Sequence, residues 1–227
     1  MFKERDNLDN SLNKLLYNPK FNKYYKTLIE ANKKTNLTRI TDETEVYYKH
    51  FYDSIILSKW FDLSNKTLLD IGAGAGFPSI PLKIIEPSLS ITIVDSLNKR
   101  IIFLKELIEQ LNFKDIKLIH GRAEEYPYRN HFDLVTSRAV AKLNILIELT
   151  LPFVRVGGYF IAYKSIRYKE ELEEATTGIK KLGGEIEAIK EYSISKDEMH
   201  VLILIKKINP TSSNYPRIYG KIKKNPL

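Results

Sequence analysis

Cysteine is absent from the 227 residues of this chain, which excludes a disulfide framework, a thiolate nucleophile and a cysteine-rich metal site. Histidine is scarce: His50, His120, His131 and His200 are scattered without ligand spacing, so no metal site is assigned. No stretch is apolar enough for long enough to span a bilayer. The opening Met1-Phe2-Lys3-Glu4-Arg5-Asp6 also lacks the basic-then-apolar shape of a secretion signal, so the expectation is a cytoplasmic protein with no membrane partner. Acidic side chains vanish after Glu198, yet Lys206, Lys207, Arg217, Lys221, Lys223 and Lys224 all follow it. Within a formal net charge of +8, this lopsided end points to RNA, because lysine and arginine gain affinity by displacing counterions from phosphate. There is no internal repeat and no low-complexity linker. A hydrophobic content of 43% supports one good core with a modest extension, and nothing demands more than a monomer.

What the chain does have is an apolar run that ends in an acid and three alternating glycines: Leu68-Leu69-Asp70-Ile71-Gly72-Ala73-Gly74-Ala75-Gly76-Phe77-Pro78. It reads as a buried parallel strand breaking into a tight turn before a helix, where open α/β sheets bind nucleotide-like ligands. A dinucleotide fingerprint wants G-x-G-x-x-G, with the helix N-terminus aimed at pyrophosphate. Here the third glycine, Gly76, comes one position early and Phe77 fills the expected slot. That turn suits a ligand without phosphates, and S-adenosylmethionine (SAM) is the obvious one. Asp70 would face its cationic end while Gly72, Gly74 and Gly76 let the backbone approach its amino-acid part. A second β-branched strand, Ser90-Ile91-Thr92-Ile93-Val94-Asp95, ends in an acid at the usual reach to a ribose diol, so Asp95 is assigned to the ribose hydroxyls. Ser96 is expected to cap the helix that follows.

Residues 1–66 carry no strand pattern and read as an N-terminal helical cap. Phe21, Tyr24, Tyr25, Leu28 and Ile29 share one helical face, and their periodicity marks them as core rather than base-stacking platforms. Asp42 with Glu45 resembles a capping arrangement opening a second helix through Val46, Phe51, Ile55, Ile56 and Trp60. From Thr67 strands and helices alternate, which predicts a doubly wound, mostly parallel α/β sheet over residues 67–208. Strands are expected at Thr67 to Ile71, Ser90 to Val94, Ile116 to His120, Phe132 to Ser137, Gly158 to Tyr163, Gly184 to Ser193 and His200 to Lys206, with helices in the intervals. The last two lie too close for a helical crossover and should pair antiparallel. Five parallel strands with a terminal hairpin is the Rossmann-like topology of SAM-dependent methyltransferases. Residues 209–227 form a basic C-terminal tail.

Ligands contact the carboxyl ends of parallel strands. Reading those ends in turn gives Asp70 with the glycines, Asp95, Gly121-Arg122-Ala123-Glu124, Ser137-Arg138-Ala139 and Lys164. Ala123 and Glu124 can present a backbone N–H and a carboxylate to an adenine edge. Arg138 closes an apolar strand beside the ligand crevice, and the alternative to a ligand role is an ion pair with Glu124 or Asp70. Lys164 and the tail cations Arg217, Lys221, Lys223 and Lys224 are assigned to RNA phosphates.

Several of these segments together carry a family resemblance. Asn36-Leu37-Thr38, His50 with Asp53-Ser54, the glycine run through Ser79-Ile80-Pro81-Leu82, Asp95-Ser96-Leu97-Asn98-Lys99-Arg100, Gly121-Arg122-Ala123-Glu124-Glu125, Ser137-Arg138-Ala139 and the ending from Tyr215 to Leu227 resemble the bacterial glucose-inhibited division protein B family. The resemblance spans nearly the whole chain and departs at Ile222, where the tail commonly has proline. It implies a small-subunit ribosomal RNA guanine-N7 methyltransferase acting on one guanine of 16S rRNA, with SAM contacts on Gly72, Phe77, Ala123, Glu124 and Arg138. Guanine N7 carries an in-plane lone pair and no proton, so no catalytic acid or base is named; alignment in a desolvated pocket suffices. The competing readings are a SAM-dependent methyltransferase with a non-RNA substrate and a ribosomal RNA-binding protein without catalysis.

Overall fold

The computed structural model describes residues 9–138, 140–195 and 197–227. The opening Met1 to Asp6, Ala139 of the strand-end motif and Lys196 of the expected turn lie outside the described residues.

Asp9 caps a short helix α1 (Asn10–Leu15), and Asn18 caps α2 (Pro19–Thr35), where Pro19 occupies a first-turn position that needs no N–H donor. On α2, Phe21, Tyr24 and Leu28 are fully buried, while Tyr25 and Ile29 are only half-buried. Asp42 does accept the Glu45 N–H, at 2.9 Å. The helix it opens is not one regular α-helix: α3 (Glu43–Val46) passes into a π-helical turn over Tyr47–Tyr52, then α4 (Asp53–Ile55) and a 3-10 turn over Ile56–Lys59. Trp60 falls just beyond that turn and remains half-buried.

The seven strands are β1 (Thr67–Ile71), β2 (Ser90–Asp95), β3 (Ile116–His120), β4 (Phe132–Arg138), β5 (Val154–Ser165), β6 (Gly184–Ser195) and β7 (Glu198–Lys207). They form one sheet in the order β3-β2-β1-β4-β5-β7-β6. The first five pair in parallel, and β7 runs antiparallel to both β5 and β6. This is the expected Rossmann-like α/β architecture with a terminal hairpin. The chain reverses its direction of winding between β1 and β4, so the switch point falls where the glycines leave β1.

Alternation along the strands divides the core into two layers. Leu68, Ile91, Ile93, Leu134 and Ile161 join the N-terminal helices, α5 (Ser79–Ile85) and α6 (Asn98–Gln110) on one face. Leu69, Val94, Val135, Phe160 and Ile203 meet α7 (Leu143–Thr150) and α8 (Tyr168–Lys181) on the other. Two expectations need correction. The interval between β3 and β4 holds only a 3-10 turn over Ala123–Glu125; Pro127 cannot donate within a helix, and the short segment stays extended. β5 begins at Val154 rather than Gly158, because the Gly157-Gly158 pair lies inside the strand, close to the bulged register between Phe132 and Leu134.

Candidate functional site

Gly72, Gly74 and Gly76 all have positive φ, of 73°, 62° and 103°, the left-handed region that glycine enters without a side-chain penalty. The Gly72 N–H donates to the Val94 carbonyl at 2.8 Å, and the Gly74 N–H donates to Asp95 Oδ2 at 3.1 Å. The Asp95 carboxylate is buried. It also accepts the Leu97 N–H and an Arg100 guanidinium N–H. Asp95 therefore does the work expected of Ser96: Leu97 stands at the start of α6 without a side-chain cap, and Asp95 satisfies its backbone. A carboxylate offers about four acceptor sites, so capacity for one further donor remains. Behind the loop the Tyr24 hydroxyl donates to the Ala75 carbonyl. The Phe77 ring stacks with His50, at 4.5 Å, and with Tyr24, at 5.5 Å.

Asp70 is completely buried at the end of β1. Its Oδ2 accepts the Ser79 N–H at 3.2 Å, whereas Oδ1 has no hydrogen-bond partner. Burial pushes this carboxyl up to about 7.

At the carboxyl ends of β1, β2 and β3 a cavity of about 240 Å³ opens, lined by Gly72, Ser96, Gly121, Ala123, Glu124 and Tyr219 among others. A second hollow of about 310 Å³ lies at the ends of β4, β5 and β7, lined by Lys49, His50, Asp53, Arg138, Lys164 and His200 among others. Val140 lines the first and Arg138 the second. A larger groove of about 410 Å³ between α2 and α6 is away from the strand ends and lined by charges of both signs, so it is set apart from this site.

Arg138 does not pair with Glu124 or Asp70. Its Nη1 donates to Asp53 Oδ2 at 2.7 Å, its Nη2 donates to His50 Nδ1 at 3.0 Å, and its guanidinium carbon lies 4.9 Å from the centre of the Phe77 ring. Asp53 Oδ1 accepts two more bonds, from the Tyr192 hydroxyl and from His200 Nδ1, both at 2.7 Å. Burial alone would raise the Asp53 carboxyl, but the His200 hydrogen bond and the Arg138 charge outweigh it and hold Asp53 below the usual carboxylate range. Burial likewise opposes a charged His200, and the Asp53 carboxylate overcomes it, raising His200. His50 goes the other way: burial and the adjacent Arg138 bring it down to about 3. The neutral ring accepts from Arg138 and donates from Nε2 to Thr38 Oγ1, 2.8 Å away.

Nothing in the sequence announces this cluster as a unit. His50 and Asp53 carried one signal, a spacing of three residues on a helix, but Tyr192 and His200 carried none. Four of the cations counted in the sequence have partners within the protein. Lys164 lines the hollow yet is paired with Glu171 at 2.6 Å and donates to the Ala141 carbonyl. Arg217 forms a bidentate pair with the fully buried Glu148. Lys206 pairs with Glu187. Lys207 is buried, donates to the Leu151 and Leu182 carbonyls, and is brought down by burial to about 8. Lys221, Lys223 and Lys224 are exposed on helix α9 (Tyr219–Lys224). Among the described residues no cluster of His, Asp or Glu could hold a metal ion, and no helix is long and apolar enough to cross a membrane.

A glycine loop at the switch point of this sheet, a buried acid ending each of the first two strands and a cavity between their ends define a class: the Rossmann-like, SAM-dependent methyltransferases. Solved structures share the fold. M. jannaschii TYW2 in complex with AdoMet matches with a TM-score of 0.60 at 16% identity, over 75% of this chain and 80% of that one. A ribosomal protein L11 methylase from Lactobacillus delbrueckii subsp. bulgaricus matches with a TM-score of 0.56 at 14% identity, over 71% and 79%. Within the class, residues 17–201 match the GidB family model, rRNA small subunit methyltransferase G, and the chain belongs to that family. Proteins named ribosomal RNA small subunit methyltransferase G are 52% identical over 212 residues in Staphylococcus epidermidis, covering 91% of this chain and 89% of that protein. In Lactobacillus acidophilus the figures are 50% over 216 residues, 91% and 90%.

Proposed function

We propose that this protein uses SAM to methylate N7 of one guanine in 16S ribosomal RNA, acting as a cytoplasmic monomer on the RNA or the small ribosomal subunit. The observation that carries the reading is the pair of hollows at one end of the sheet: a glycine-walled cavity of about 240 Å³ beside a hollow of about 310 Å³ lined by Arg138, Asp53 and His200, with Lys49, paired to Glu45 and Glu198, also in its lining. The residues fit SAM. A Cβ at Gly74 would meet nothing within 4 Å, and Asp70 Oδ1 is a buried acceptor without a partner, suited to a nearby cation. Asp70 would face the cationic end, with the Gly72, Gly74 and Gly76 backbone along the amino-acid part. Asp95 would take one ribose hydroxyl with its remaining acceptor site, Ala123 and Glu124 the adenine edge, and Phe77 with Arg138 the junction with the second hollow.

Bound there, SAM supplies a methyl group activated by a sulfonium. The protein's own contribution is alignment and exclusion of water, which can amount to roughly 7–11 kcal/mol. Guanine N7 offers its lone pair without losing a proton, so no side chain has to act as base; His50, neutral and hydrogen-bonded at both nitrogens, is placed to orient Arg138. Outside the hollows, the exposed Lys221, Lys223 and Lys224 are the tail cations that remain for RNA phosphates; each should flatten the salt dependence of binding when removed. Mass spectrometry of rRNA digests tests the reading. A strain lacking this gene should miss one 7-methylguanosine of 16S rRNA, regained on complementation, and an unchanged digest overturns the assignment.

SAM affinity should depend on pH through Asp70. In the free protein its carboxyl is raised from 3.8 to about 7, so the folded state holds a proton that the unfolded chain has released. That contribution to stability is full below about 4 and is lost as pH rises through 7. A cation seated nearby expels the proton, so affinity should fall as pH drops below 7, by up to about tenfold per unit. Calorimetry between pH 5.5 and 8, repeated in buffers of different protonation enthalpy, should find close to one proton released at the acid end. A flat profile would remove Asp70 from the cation.

A further inference from the structure

The segment after β7 folds back over the sheet. Arg217 Nε and Nη2 grip the fully buried Glu148 of α7 at 2.8 and 2.6 Å, and the Arg217 backbone N–H donates to the same carboxylate at 2.8 Å. Nη2 also donates to the Asn225 carbonyl, which closes the segment on itself. Ile222 is completely buried in the core beside α7. A Cβ placed on Gly178 of α8 would lie 2.9 Å from Leu227, so the end of the chain also sits against the domain. Tyr219 stands between these anchors. Its N–H donates to Glu124 Oε1 at 3.3 Å, its ring packs under the Arg122 guanidinium at 5.2 Å, and it lines the 240 Å³ cavity together with Gly72 and Ala123.

We propose that this C-terminal strap is a wall of the SAM cavity, that Tyr219 is a cofactor-binding residue contacting the adenosine end, and that the Arg217–Glu148 pair is the positioning element that sets it there. The inference rests on the SAM-binding reading of the cavity. Two roles follow for one short segment: Tyr219 and Ile222 face inward, while Lys221, Lys223 and Lys224 face solvent. The Tyr219 ring offers a flat apolar surface to the adenosine, and its backbone N–H fixes the Glu124 carboxylate assigned to the adenine edge. A bidentate guanidinium on a carboxylate with no solvent exposure is a rigid anchor, because either charge left alone would be buried without a partner.

Calorimetry of the full-length protein with SAM and with adenosine tests this. Tyr219→Ala should weaken both ligands by about tenfold or more, on the scale of losing an aromatic surface under a base. Tyr219→Phe, which keeps the ring and the backbone N–H, should restore most of that loss. Because Arg217→Ala alone strands Glu148, the anchor is tested with the double variant Arg217→Met/Glu148→Met. Where circular dichroism shows it folded, it should raise the KM for SAM and leave the KM for RNA unchanged. Absence of SAM binding by the unaltered protein would overturn the reading of the cavity itself. Binding by the unaltered protein with a folded Tyr219→Ala variant within twofold of it would overturn only the strap. So would a rise in the KM for RNA with SAM affinity intact, since that would make the segment an RNA element.

Discussion

Arg138→Ala should lower kcat/KM for methyl transfer by roughly 100-fold or more, the scale on which removal of one preorganised donor acts. The same change should destabilise the fold by about 3–5 kcal/mol, because Asp53 is 2% exposed and loses its permanent cation. The His200 and Tyr192 bonds to Asp53 Oδ1 place the loss toward the lower end. Two explanations of the activity loss are separable. If Arg138 touches ligand, the double variant Arg138→Met/Asp53→Asn should recover stability, since no charge is stranded, but no activity. Urea unfolding measures the first quantity and methyl transfer to rRNA the second. Recovery of both together would reduce Arg138 to a structural partner of Asp53.

The glycines of the loop should divide into two kinds. At Gly76 φ is 103°, and an added Cβ would sit 2.7 Å from Ile80 Cγ1, 2.8 Å from the Tyr24 hydroxyl oxygen and 3.0 Å from Leu104 Cδ2. Left-handed strain of about 1–2 kcal/mol adds to overpacking of about 1–3 kcal/mol. Gly76→Ala should therefore lower the melting temperature by roughly 5–15 °C in a domain of this size. Gly74 is the counterpart, with φ 62° and open space where the Cβ would project. Gly74→Ala should cost only about 1–2 kcal/mol of stability while weakening SAM binding strongly, since that space is assigned to the ligand. Thermal melts with and without SAM distinguish the two, and a Gly74 variant that still gains full stabilisation from SAM would refute the assignment.

Much of this was visible in the chain because it is local. The alternation of Leu68 with Leu69, the three glycines and the β-branched run into Asp95 each depend on neighbours in sequence, and the expectation of a mostly parallel sheet followed from them. The misreadings share a cause as well. Asp42 and the apolar spacing of Val46, Phe51 and Ile55 announce a helix, yet nothing local distinguishes an α-turn from the π-turn that carries His50 toward Arg138. Lys221 and Arg217 look alike on paper. What separates them is Glu148, 69 positions away, just as what fixes Asp53 lies 139 and 147 positions away in Tyr192 and His200. Charge can be counted in a sequence; whether a charge is spent on a buried partner is decided by tertiary contacts that periodicity does not report.

The partners of Asp53 have a consequence for biosynthesis. An emerging polypeptide acquires its glycine turn early, but it must wait for the final hairpin before the carboxylate meets His200, and longer still before residue 219 leaves the translating machinery. A chain cut off after β5 should therefore leave Asp53 without its Tyr192 and His200 partners, with Arg138 alone to balance the buried carboxylate.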